Sequence, residues 1–195
     1  MRNASPFKCV TITALTCASV SLAAKNESAE GKAVVEIVRP VEIQFRDALS
    51  FGRVIMLKDT GGKVRVDLDG KGDVDAGRGL ALDGKALHTA GRFQLDGAGG
   101  SGFDIKLSTS RVPLVLQGSA TPAAVSLMAR ITHLRVGTTV IAIPDGAGEF
   151  ATKGSALALT ATGSNFLTVA GEMAIDGRAT MGKYEGKYDV TIIHE

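Results

Sequence analysis

The densest grouping of side chains able to do chemistry is D-L-D-G-K-G-D-V-D, which sets Asp67, Asp69, Asp73 and Asp75 among glycines. Carboxylates spaced by glycine can wrap Ca²⁺, which takes about six to eight oxygens. The spacing departs from the EF-hand pattern and Lys71 stands in its middle, so the stretch reads as a solvated loop and no metal site is expected. Gly97-Ala98-Gly99-Gly100-Ser101-Gly102 spells G-x-G-x-x-G, a phosphate cradle only where a helix follows. An alternating strand, Phe103 to Leu107, follows instead, so this is a turn between strands. His88, His133 and His194 show no i, i+3 or i+4 ligand spacing. Both cysteines, Cys9 and Cys17, fall in the leader described below, which leaves no thiol nucleophile, and no G-x-S-x-G elbow occurs. Neither catalysis nor a cofactor is expected.

The elements that would position any site are strands. Gly182 to Glu195 carries Tyr184, Tyr188, Val190 and Ile192 at even positions and Lys183, Glu185, Lys187, Asp189 and Thr191 at odd ones. Side chains alternate across a strand, so one face is apolar and the other charged. Tyr184 and Tyr188 read first as core aromatics, and second as the lining of a groove for an incoming strand. Ala33 to Phe45 alternates too, with Ala33, Val35, Ile37, Val41, Ile43 and Phe45 on one face, interrupted only by Arg39. Thirteen residues would reach roughly 43 Å, twice an ordinary strand. Pro40 lacks an N–H and marks an edge or a break, where one strand changes sheet or two strands serve different partners.

Further strands are expected at Leu49–Leu57, Lys63–Leu68, Val112–Leu116, Val125–Thr132, Val140–Ile143, Ala156–Thr160 and Phe166–Ile175. A Gly/Asp loop is expected over 69–79, a hairpin at Arg92–Leu107, and a helical turn remains open near Ala123-Ala124. Short strands, 24 glycines and no amphipathic helix indicate an all-β antiparallel sandwich.

Met1-Arg2, Lys8, the uncharged run Cys9–Ala24 and Ser21-Leu22-Ala23 describe a secretory signal peptide over residues 1–23. The run is too short and too rich in Thr and Ser to span a bilayer. Thr16 ahead of Cys17 argues against lipid attachment. The chain has 22 basic and 20 acidic residues, and Arg2 and Lys8 are the leader's only charges, so the exported part is balanced at 20 of each. That removes the electrostatic case for nucleic acid or an anionic membrane as partner. Residues 24–32 form a polar segment and 33–195 a single domain without disulfides, held by its core alone.

Five further pieces in fixed order, together with the C-terminal strand, carry a resemblance: I-V-R-P-V-E-I (Ile37–Ile43), A-L-S-F-G-R-V (Ala48–Val54), A-G-R-F-Q-L-D-G (Ala90–Gly97), F-D-I-K-L (Phe103–Leu107), V-A-G-E-M-A-I (Val169–Ile175) and G-K-Y-E-G-K-Y-D-V-T-I (Gly182–Ile192). The chain resembles the bacterial secreted family known as domain of unknown function 4402, itself similar to spore-coat-U-like subunits of chaperone–usher pili. The resemblance implies an immunoglobulin-like sandwich in the periplasm or at the cell surface, and a fimbrial or coat subunit joined by strand addition. It brings no catalytic residues. Copies of the same chain and a periplasmic chaperone are the implied partners. On this reading Ala33–Val38, with Val35 and Ile37, is donated to a neighbour's edge beside Tyr184, Tyr188, Val190 and Ile192. The competing expectation is a self-contained monomer that recognises a ligand through its loops.

Overall fold

Alternating apolar and polar side chains become antiparallel strand through most of the chain. The structure, a computed structural model, describes residues 35, 37, 39–75, 79–118, 126–146, 148–152 and 157–194. The signal-peptide region, the polar segment 24–32 and the turn near Ala123 lie outside these residues. The described strands are β1 (Glu42–Asp47), β2 (Val54–Met56), β3 (Gly62–Val66), β4 (Gly72–Val74), β5 (Leu80–Leu82), β6 (Gly91–Asp96), β7 (Phe103–Leu107), β8 (Arg111–Leu116), β9 (Ser126–Val136), β10 (Thr139–Ala142), β11 (Phe150–Ala151), β12 (Ser164–Ile175), β13 (Tyr184–Glu185) and β14 (Val190–His194). No helix occurs among the described residues, and residues 37–195 form one compact unit.

The large sheet runs β1-β6-β12-β9-β8-β13, with β3 also on β12, β4 on β3 and β10 on β9. β12 is its axis. Its first half pairs with β6 on one side, its second half with β3, and β9 runs along the other side from Leu167 to Ala174. The second sheet is β11-β7-β14, and β2 and β5 make a separate ribbon. β7 lays Phe103, Ile105 and Leu107, all fully buried, against Leu95, Ile131, Leu134, Leu167 and Val169 of the large sheet. Each such side chain contributes about 1.5–3 kcal/mol by leaving water. The architecture is the expected all-β antiparallel sandwich.

Several local expectations change. β6 and β7 do not form a hairpin: β6 pairs with β1 and β12, and β7 with β11 and β14. The glycine loop between them therefore carries the chain from one sheet to the other. The expected Gly/Asp loop contains β4, whose Val74 faces Val64 across a two-strand turn. In β9 the alternation of Ala129 and Ile131 slips at Thr132, a bulge opposite Ala170-Gly171, after which Leu134 and Val136 point inward. The C-terminal stretch is two strands. Tyr184 and Glu185 pair with β8, whereas Val190 to His194 pair with β7, so the chain crosses between sheets over residues 186–189.

The N-terminal stretch is corrected most. Regular pairing begins at Glu42, two residues past Pro40. Val35 is 83% and Ile37 91% exposed, and neither belongs to a described strand. They do not share the buried side that Val41 occupies.

Candidate functional site

The geometry of interest lies where the two sheets fail to close. β14 pairs only with β7, and β1 only with β6. The two strands adjoin, yet no ladder joins them among the described residues. Phe45 sits on the same side of β1 as buried Val41 and half-buried Ile43, but it is 63% exposed. It faces Phe93 across the β1–β6 ladder, with ring centroids 5.9 Å apart, and Phe93 meets Tyr188 at 6.1 Å, both edge-on. An aromatic line thus runs from an uncovered rim into the interior.

Beside this seam, Leu49–Met56 on one flank and Ala179–Tyr188 on the other enclose a groove of about 1420 Å³. Its floor is apolar, made by Val112 and Leu114 of β8, Leu127, Ala129 and Ile131 of β9, and Met173 and Ile175 of β12. Tyr184 and Tyr188 both line it. The Tyr184 hydroxyl donates to the Thr180 carbonyl at 2.7 Å, pinning the rim. The Tyr188 hydroxyl is buried with no partner among the described residues, and burial pushes its pKa up to about 12. Val190 and Ile192, half-buried, pack against the core, while Lys183, Glu185, Lys187 and Thr191 face solvent. Four of the six residues expected at a strand-exchange interface therefore lie along one continuous segment, while Val35 and Ile37 stand exposed and outside the described ladders.

The acidic loop does not gather its carboxylates. Asp67 Oδ1 accepts from the Asp69 and Lys71 amides at 2.9 and 2.8 Å, Asp69 pairs with Arg135 at 3.0 Å, and Asp75 pairs with Arg65 at 3.4 Å. No group of three or more metal-ligating side chains exists among the described residues. His88 is wedged between Gly52 and Gly72, at which a Cβ would come within 2.7 and 2.5 Å of its ring. His133 and His194 are exposed on β9 and β14, so the three histidines serve separate elements.

A second cavity, of about 660 Å³, opens on the outer face of the large sheet and has no signature in the sequence. A register shift after Phe45 sets Asp47 opposite Arg92, yet no ion pair joins them. The Arg92 guanidinium instead lies 3.8 Å over the Phe166 ring. Arg135, Asn165 and Thr168 add to the polar lining. Farther along the same face, Glu172 gathers Lys63 (3.5 Å), Arg65 (3.4 Å) and Arg130 (3.2 Å). Burial works to raise the Glu172 carboxyl, but the three cations outweigh it and hold the group below its ordinary value.

The family model described as "Domain of unknown function (DUF4402)" matches residues 41–194. No curated protein and no solved structure matches the chain.

Proposed function

This chain belongs to the DUF4402 family, and from that premise we propose that it is an exported, non-enzymatic structural subunit with an immunoglobulin-like arrangement of strands, joined to its neighbours at the periplasmic or outer surface by strand addition. Residues 33–38 of one copy add to the unladdered edge of β14 in the next, at the open seam beside β1. The observation that carries this reading is Phe45, an inward-side aromatic left 63% exposed where none of the described strands covers it. Val35 and Ile37 are the complementary feature, two apolar side chains at strand spacing that stand 83% and 91% exposed. The matched family region begins at Val41, past Pro40, so the donated segment precedes the domain proper.

The dimensions agree. Six residues extended span about 20 Å, and the five-residue edge of β14 about 17 Å. Burying Val35 and Ile37 stabilises the joint by about 3–6 kcal/mol before ordering costs, a large share of an ordinary domain's net stability. Backbone hydrogen bonds to the unladdered edge of β14 would add register. A subunit with an unfilled seam is marginal alone, which is why a chaperone belongs among the proposed partners.

Size-exclusion chromatography with light scattering, on protein with and without residues 24–38, tests the proposal. The intact chain is expected to associate with rising concentration, and the shortened one to stay monomeric and recover stability when a peptide of residues 33–38 is added. A monomeric intact chain that unfolds when those residues are removed would assign the segment to its own domain. That outcome would favour a self-contained binding module.

A further inference from the structure

We infer that the outer face of the large sheet carries a separate binding site for a hydroxylated monocarboxylate, an acidic sugar unit, at the cavity between Asp47, Arg92, Arg135, Asn165, Phe166 and Thr168. It shares no residue with the groove described above and stands whether or not the subunits join.

Charged groups at this cavity stand without partners among the described residues. Asp47 and Arg92 are cross-strand neighbours, a position where opposite charges ordinarily pair. Here Arg92 is stacked on Phe166, and neither its guanidinium nor the Asp47 carboxylate has an ionic or hydrogen-bonded partner among the described residues. Thr168 is only 8% exposed and lines the cavity. His88 also lines this cavity, and its Nε2 is buried with no hydrogen-bond partner among the described residues, a group that a ligand from outside the chain can satisfy.

The charge inventory selects the ligand. Arg135 is already neutralised by Asp69 at 3.0 Å and tethered to the Leu68 carbonyl at 2.9 Å, so it forms a fixed wall. That leaves one guanidinium for one carboxylate, with the unpaired Asp47 carboxylate in the same lining to disfavour a dianion such as phosphate. A planar guanidinium carried over an aromatic ring still has edge donors for a carboxylate in a two-pronged arrangement. Asp47 then accepts from sugar hydroxyls, and Thr168 and the Asn165 amide complete the contacts. The cavity, at about 660 Å³, is far larger than acetate needs and lies within the range usual for small-molecule sites. A peptide strand is disfavoured. β6 and β12 are laddered on both sides here, so no backbone edge is free to receive one.

The test is NMR titration of the full chain with D-glucuronate and D-galacturonate, against D-glucose, acetate and inorganic phosphate. One or both uronates are expected to bind saturably, shifting the Asn165 and Thr168 amides, and to bind at least about tenfold more tightly than the three controls. Arg92→Gln is expected to weaken the uronate by about tenfold or more, and Asp47→Asn to weaken it by a similar factor. Both sites are on the surface, and unchanged far-ultraviolet circular dichroism checks each fold. No saturable shift with either uronate would overturn the inference. So would equal binding of acetate or phosphate, which would make the site a simple anion site, or full affinity retained in Arg92→Gln.

Discussion

The hydroxyl of Tyr188 occupies the space that a side chain at Gly91 would need: a Cβ there would collide with Tyr188 Oη and press on Val169. Gly91 sits fully buried at the start of β6, directly opposite Val169 of β12. The large sheet therefore has a notch cut in its inner surface, and the aromatic from the crossing segment fills it. Gly91→Ala is expected to destabilise the domain by about 1–3 kcal/mol through overpacking, measured by urea unfolding. An unchanged midpoint would mean that the tyrosine relocates freely.

Tyr188 also gives alkaline stability a defined slope. Its folded pKa stands at about 12 against an ordinary 10.0, because burial opposes the charged form. The folded state thus holds its proton more tightly than the unfolded one. The contribution is fully present below pH 10 and is lost as pH climbs towards 12. Tyr188→Phe is expected to flatten that loss and to be neutral or stabilising at pH 7, since it removes a buried hydroxyl that has no partner. A parallel fall in both proteins would assign the alkaline transition elsewhere.

Glu172 works in the opposite direction. Lys63, Arg65 and Arg130 hold its carboxyl below the ordinary 4.5 despite burial. Its contribution is present above that value and disappears as pH drops through the lowered folded pKa. Glu172→Gln is expected to cost about 1–3 kcal/mol at pH 7 and nearly nothing at low pH, where the wild-type carboxyl is protonated too. Thermal unfolding across an acid pH series measures the convergence.

Ile37→Asp separates assembly from folding. The side chain is 91% exposed, so monomer stability should shift by no more than about 0.5 kcal/mol. Association in light scattering should fall sharply, since a carboxylate cannot enter an apolar seam without partners. Association at full strength in this variant would remove Ile37 from the joint.

Thr152 supports the second sheet through hydrogen bonds. It is buried, accepts from the Ile105 amide at 2.7 Å, and donates to Asp104 at 3.0 Å. Thr152→Val should cost about 1–3 kcal/mol by leaving a buried amide unsatisfied, and Thr152→Ser should restore most of it. Chemical denaturation of the pair decides between a lost bond and lost shape.

Much of this fold can be read from residue order, because strand alternation is a local property. Tyr184, Tyr188, Val190 and Ile192 do share the sheltered side, with charged neighbours outside. The break between β13 and β14 has no such signature, since the alternation runs on unchanged while the pairing partner switches from β8 to β7. The glycine loop at 97–102 likewise specifies a turn but not the sheet to which the chain returns. β4 escaped because Gly72-Asp73-Val74 has loop composition and becomes strand only by lying against β3. Val35 and Ile37 follow the alternation faithfully and are still uncovered, because a pattern states which residues could be buried and cannot supply the surface that buries them. The outer cavity was invisible for a related reason. Asp47, Arg92, Arg135 and Phe166 come from four different strands, and the register that gathers them depends on bulges at Arg46 and Thr132.

The chain has no tryptophan and two tyrosines, one in the segment that crosses from one sheet to the other and one in β13 just before it. Near-ultraviolet absorbance and tyrosine emission therefore report chiefly on that crossing, not on the molecule at large. Whatever slides in beside β14 would change the optical spectrum without any label, and a handling step that loosens only the seam would register as if the whole protein had melted.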